Sequence, residues 1–369
     1  MKKHLIASVF VSGVAMATGA AAQEKVVNVY NWSDYIDESI LEDFTKETGI
    51  KVKYDVFDSN ELLETKLLAG KTGYDVVVPS GNFLGRQIQT GVFTPLDKSK
   101  LPNLKYMWPV VTDILAKYDP GNKYSVNYMW GTTGIGYNVA KVKERIPDAP
   151  LDSWKLALDP EYVLKLKDCG VMMLDAPDEI VPAVMNYLGI DPDSKKPEDL
   201  KKAAEYFKKI RPAIRKFHSS EYINALANGD VCLVIGWSGD IKQAASRAEE
   251  KNKTVTDPKK KVEIGYIIPK EGAYMFFDNF VIPKDAKNVE EAYAFINYMM
   301  KPEVIAKASN YVKYPNGNLE SQKYVDKAVL EDKSVYPSLE TMKKLYVISP
   351  FDQKSQRVLT QVWRDMKRK

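Results

Sequence analysis

Histidine is nearly absent from this chain of 369 residues, which has only His4 and His218. General acid–base catalysis near neutral pH and transition-metal binding both lean on imidazole, so the chain is poorly equipped for either. Cysteine is as scarce: Cys169 and Cys232 are the only two, with no C-x-x-C pair for redox chemistry and too few ligands for a metal site. An excess of one charge is also lacking. The formal net charge is +4 from 53 basic and 49 acidic residues, which gives no case for nucleic acid or an anionic membrane as partner. No apolar run reaches the ~20 residues of a membrane span. Internal repeats, low-complexity segments and a G-x-S-x-G motif are missing too.

The chain does carry an N-terminal address. Lys2 and Lys3 precede a mostly apolar run from Leu5 to Ala17, and Ala20, Ala21 and Ala22 offer small residues for signal peptidase. Residues 1–22 are therefore expected to be a cleaved secretory signal, leaving Gln23 first and the remainder exported. Losing Lys2 and Lys3 lowers the formal charge from +4 to +2. In an oxidising compartment an even cysteine count reads as a disulfide, Cys169 to Cys232. Such a loop closure stabilises by about 4 kcal/mol in the chain-entropy description. Two buried free thiols are the alternative.

Aromatic rings beside carboxylates are abundant: Trp32 with Asp34 and Tyr35, Trp237 with Asp240, Phe276 and Phe277 with Asp278. Ring faces attract cations and carboxylates pair with them, so this combination suits an organic cation. Binding is the first reading, ahead of catalysis.

Strand and helix signals alternate through the first hundred residues. Val26–Tyr30, Ile50–Phe57 and Tyr74–Pro79 read as strands. Between them lie a helix with Ile36, Ile40, Leu41 and Phe44 on one face, ending at Gly49, and a helix that Asn60 can cap. That order predicts an α/β fold with a parallel, doubly covered sheet. Further on, Val171–Leu174, Val231–Ile235 and Phe280–Ile282 read as strands, and Glu249–Lys261 is the most linker-like stretch. The length favours two lobes over one core. In open α/β sheets ligands bind beyond the carboxyl ends of strands. Trp32–Tyr35, Ser80, Asp175–Glu179 and Trp237–Asp240 all follow strands, whereas Phe276–Asp278 lies at the entry to one.

Taken together, Asn31–Ile36, Tyr74–Ser80, Trp130–Tyr137, Phe217–Ile223, Ala227–Asp230, Gly236–Asp240 and Phe276–Phe280 resemble the polyamine-binding periplasmic proteins of ABC importers. The likeness runs from about Val26 to the C-terminus. It implies a two-lobe, type II solute-binding fold with the ligand cleft between lobes. Crossings are expected near Gly134, Tyr274 and Leu319. Lobe 1 would then combine residues 24–134 with 274–319, and lobe 2 residues 135–273 with 320–369. The resemblance implies that Trp32, Tyr35, Trp237, Phe276 and Tyr314 wall the ligand. Asp240 and Asp278 would hold an ammonium group, with Glu179 near one amine. Ser33, Asp34, Ser80 and Ser219 would add polar contacts. Phe276 and Ala176 look like the putrescine branch, where Trp and Asp would suit spermidine. No cofactor is implied; the partners are a polyamine, most simply putrescine, and the membrane components of the importer, the protein acting as a monomer.

Blander readings stand beside these. Trp32 and Trp237 can be core aromatics, Asp37 is a helix cap by position, Asp175 and Asp178 sit where turn or capping residues do, and His218 reads as structural. From another class, an exported hydrolase would need two carboxylates ~5–10 Å apart across a cleft, and Asp240, Asp278 and Glu179 could supply them. A ferric carrier would draw on the 22 tyrosines, but no Tyr-Tyr pair lies where the lobes should meet.

Overall fold

A computed structural model describes residues 24–368; the expected signal segment, 1–22, lies outside the described residues. Among the described residues nine strands run in chain order: β1 Val26–Trp32, β2 Lys51–Phe57, β3 Val76–Val77, β4 Ser125–Asn138, β5 Val171–Met173, β6 Ile214–Phe217, β7 Leu233–Trp237, β8 Ile264–Ile267 and β9 Met275–Val281. Their spatial order is β2-β1-β3-β9-β4-β7-β5-β6, with β8 also on β4. β1 lies parallel between β2 and β3, and β5 lies parallel between β6 and β7. These are two α/β halves, each with helices returning the chain.

β4 belongs to both halves. Its residues from Ser125 to Thr132 pair antiparallel with β9, and those from Thr133 to Tyr137 pair with β7. β8 pairs with the second part of β4 and β9 with the first part, and Tyr274 lies between these two strands. Further along, Val325, Val329, Val335 and Tyr336 pack with Trp130 and Phe277, so the chain stays beside β9 well past Leu319. The chain returns to the second half from Ser349, which bonds to Asp193, and the helix Gln353–Lys367 then packs against the helices Pro177–Tyr187 and Pro197–Phe207.

Local chemistry accounts for most element ends. The helix Ser39–Thr48 stops at Gly49, whose φ of 73° suits glycine. Val76 and Val77 are wholly buried, as expected where helices cover both faces of a parallel sheet. β3 is shorter than the apolar run predicts. Ser59, not Asn60, caps the helix Asn60–Ala69, its side chain accepting from the Leu62 N–H; Asn60 is buried and turned to another task. Phe276–Asp278 lies inside β9 rather than at its entry. Glu249–Lys261 is not a linker: the helix Ser238–Asn252 runs into it, and the Asn252 amide exchanges two hydrogen bonds with the Val262 backbone. Cys169 and Cys232 are joined, with Cα atoms 5.5 Å apart, and tie together the segments entering the neighbouring strands β5 and β7.

Candidate functional site

Where the two halves meet, one cavity is lined by Trp32, Ser33, Tyr35, Ser80, Glu179, Trp237, Asp240, Phe276, Asp278 and Tyr314. Ten of the twelve binding residues expected from the sequence are thus brought together. Trp32 is the last residue of β1, Ser80 stands at the N-cap position of the helix after β3 without capping it by its side chain, and Trp237 ends β7. Each stands at the carboxyl end of a strand, as the α/β rule requires.

The rings form a chain of edge contacts. Tyr35 meets Tyr314 at 5.0 Å between centroids, Tyr314 meets Phe276 at 6.1 Å, Phe276 meets Trp237 at 6.4 Å and Trp237 meets Trp32 at 5.5 Å. Close approach depends on glycine at two points. A Cβ on Gly239 would run into the Tyr314 ring, and one on Gly131 would lie 2.6 Å from Phe276 Cζ.

Three carboxylates face this cavity, each held by neutral donors. Asp278 accepts from Ser80 Oγ at 2.6 Å and Tyr35 Oη at 2.7 Å. Asp240 accepts from Tyr222 Oη at 2.7 Å and Tyr314 Oη at 2.8 Å. Glu179 accepts from the Trp237 indole N–H, 3.0 Å from both oxygens, and from Thr133 Oγ1. Burial pushes Asp278 up to about 6 against the pull of its two hydroxyl donors. Burial likewise pushes Asp240 up to about 7. Glu179 is pushed up to about 8 by burial and then by the neighbouring Asp178 charge. No Lys or Arg forms an ion pair with any of the three among the described residues. This site is short of positive charge, and a cationic ligand would supply it.

The profile of the bacterial extracellular solute-binding proteins matches residues 39–336. The putrescine-binding periplasmic protein SpuD of Pseudomonas aeruginosa is 54% identical over 99% of this chain and 98% of its own length. PotF of Escherichia coli, also a putrescine-binding periplasmic protein, is 51% identical over 97% of this chain and 96% of its own. Among solved structures, the spermidine/putrescine ABC transporter substrate-binding protein PotD of Streptococcus pneumoniae superposes with a TM-score of 0.73 at 34% identity, covering 93% of this chain and 98% of that one.

The chain belongs to the bacterial extracellular solute-binding proteins. The family resemblance and the two-lobe fold expected from the sequence both hold. This solute-binding protein works in the periplasm and is no enzyme, in line with its relatives. The hydrolase alternative finds no support among them.

Two expected contacts lie elsewhere in the solute-binding protein. Asp34 is not on the cavity wall. At φ 54°, a left-handed conformation Asp tolerates, it pairs with Arg247 at 2.6 Å, and its carbonyl accepts from Gln243 Nε2. Ser219 is also off the wall, its hydroxyl accepting from the Asp175 N–H at 3.1 Å. Asp175 itself is engaged by Trp363 and Lys367 of the C-terminal helix.

Several residues behind the wall carry no role at the site in the sequence reading. Asn60 donates from Nδ2 to Ser80 Oγ at 3.1 Å, and its Oδ1 accepts from the Ser80 N–H at 3.1 Å. Tyr222 accepts from the Trp237 N–H while donating to Asp240. Thr133 holds Glu179. Tyr222 and Thr133 fall inside motifs that carry the resemblance, yet nothing local marks them: each acts on a partner 18 to 46 residues away.

Proposed function

We propose that this solute-binding protein captures putrescine between its lobes and delivers it to the membrane subunits of an ABC importer. The observation that carries the reading is the set of three buried carboxylates without an internal cation, on the wall of an aromatic cage. A diamine has two charged ends and an apolar middle. Burying an ammonium unpaired is expensive, so carboxylates belong at its ends. Rings suit the methylene chain, and cation–π contact at a desolvated ring adds about 2 kcal/mol.

The ten cavity residues are the ligand contacts in this reading, and Asp34 acts through closure instead. Lobe 1 is built on β1, β2, β3 and β9, lobe 2 on β5, β6, β7 and β8, with β4 shared and the last crossing after Tyr336. The open form admits the diamine and contacts from both lobes stabilise the closed one. The walls come from a single chain, which supports action as a monomer, and the balanced charge supports no role for nucleic acid. Putrescine over spermidine is supported by Phe276 and by the names of the two relatives above 50% identity.

Calorimetric titration of refolded, ligand-free protein with putrescine and then spermidine tests this. One-to-one putrescine binding with weaker spermidine is expected. The reverse order would keep the polyamine role and overturn the preference; binding of neither would remove the reading.

A further inference from the structure

We infer that Glu179 keeps its proton when a diamine is bound, leaving Asp240 and Asp278 as the two ionised carboxylates for two ammonium groups. The inference rests on the polyamine reading above and concerns how its charges balance. Three carboxylates face the cavity, none paired with Lys or Arg among the described residues, and a diamine brings two positive charges. A third buried negative charge would be left without a partner, which costs several kcal/mol. One acid should therefore stay neutral.

Hydrogen-bond direction selects which. Ser80 Oγ receives the Asn60 amide N–H, so its own hydrogen is free for Asp278. Tyr222 Oη receives the Trp237 N–H at 3.2 Å, and Tyr314 Oη receives the Asp240 N–H at 3.1 Å. Both phenols then direct their hydrogens at Asp240. Hydroxyls aligned as donors favour an ionised carboxylate. Thr133 is different. Nothing among the described residues donates to its Oγ1, so it can turn and accept a proton from Glu179; the Tyr35 hydroxyl is equally unlocked, but Asp278 keeps the fixed Ser80 hydrogen on its other oxygen. The other partner of Glu179, one indole N–H placed evenly between the two oxygens, tolerates either charge state.

The surroundings act in the same sense. The titratable groups facing Glu179 are Asp178, Asp278, Tyr222, Tyr266, Tyr274 and Tyr346, with no cation among them. The N-terminus of the helix Pro177–Tyr187 favours an anion there, but Asp178 shares that helix end. Burial and the Asp178 charge leave Glu179 the most basic of the three acids.

Infrared difference spectroscopy of the putrescine complex near pH 7 tests this, with complex formation first established by calorimetry. A protonated-carboxyl C=O stretch is expected, sensitive to deuteration, lost in Glu179→Gln and kept in Asp178→Asn. Its absence from the wild-type complex, or its loss in Asp178→Asn alone, would overturn the inference. Should Glu179→Gln fail to fold, titration of the wild-type protein in buffers of different ionisation heat decides. Release of less than roughly one proton per putrescine is expected, because Glu179 does not contribute; a clearly larger release overturns it. If putrescine forms no complex, the polyamine reading fails first and takes this inference with it.

Discussion

Asn82 donates from Nδ2 to the buried carboxylate of Asp178 at 2.6 Å, joining the helix after β3 to the helix after β5. Beside it, Arg86 grips Glu64 with two hydrogen bonds of 2.6 Å and reaches Gln356 of the C-terminal helix at 2.7 Å. A further link between the halves is the Asp34–Arg247 pair, each side chain 36% exposed. Contacts between lobes thus differ in burial, and burial decides what each is worth.

Removing the partner of a buried acid leaves it unsatisfied, at about 1–3 kcal/mol. An exposed ion pair contributes about 1 kcal/mol or less. Asn82→Ala is expected to speed putrescine release by roughly tenfold or more, and Arg247→Ala by about fivefold or less. Stopped-flow tryptophan fluorescence reads both rates. Equal effects would refute the ranking.

The acids on the wall should separate from acids that only cap helices. Asp240→Ala or Asp278→Ala removes a buried partner of the ligand and should cost about 3–5 kcal/mol of binding. Asp37 accepts from the N–H and hydroxyl of Ser39, so Asp37→Ala should lower stability by about 1 kcal/mol and leave affinity nearly intact. Comparable affinity losses at all three positions would contradict the assignment.

Putrescine affinity should fall on acidification. Burial pushes Asp278 up to about 6 and Asp240 up to about 7. A dication requires them ionised, so protons compete with it as pH drops through that range. Stability of the ligand-free protein moves the other way. Between the ordinary value of 3.8 and the raised values, the folded chain binds more protons than the unfolded one, so stability falls as pH rises through this window. Thermal unfolding from pH 8 down to pH 5.5 should show the putrescine-induced Tm shift shrinking; a shift that grows would reverse the sign.

Exchanging Phe276→Trp together with Ala176→Asp should move preference toward spermidine by at least about tenfold, read as the ratio of the two affinities. That is ~1.4 kcal/mol, within reach of one added charge contact. Room is tight at the first position, because the Phe276 ring already touches Gly131, so putrescine affinity should fall as well. An unchanged ratio would count against these two positions as determinants.

Reduction of the Cys169–Cys232 bond, or replacement of both residues by Ala, frees a loop spanning 63 residues and should cost up to about 4 kcal/mol. Neither cysteine lines the cavity. Putrescine affinity measured well below the lowered Tm should stay within a few-fold of the original, and a larger loss would tie the bond to the site.

Apolar periodicity and turn residues sufficed to predict the α/β alternation because each signal is local, while the ten expected residues that line the cavity came from the resemblance its motifs carry. A strand that ends in Trp-Ser-Asp or Trp-Ser-Gly-Asp carries its polar loop to the same sheet edge whatever surrounds it. β4 was legible only as a motif. Its fourteen residues are buried nearly throughout and contain three glycines, so neither alternation nor a turn signal marks it as the strand both lobes share.

Which way a side chain faces was decided by tertiary structure. Asp34 and Asp240 look alike in sequence, following a Trp by two and three residues. Asp240 lies in the first turn of a helix beneath Tyr222 and Tyr314, while Asp34 adopts a left-handed backbone and turns to Arg247. Asn60, Tyr222 and Thr133 are assigned only once distant strands lie side by side. Composition and spacing specify which chemical groups the chain owns and which elements carry them. Hydrogen-bond direction and burial depend on neighbours brought from far along the chain, so the charge each carboxylate holds is a property of the folded cavity alone.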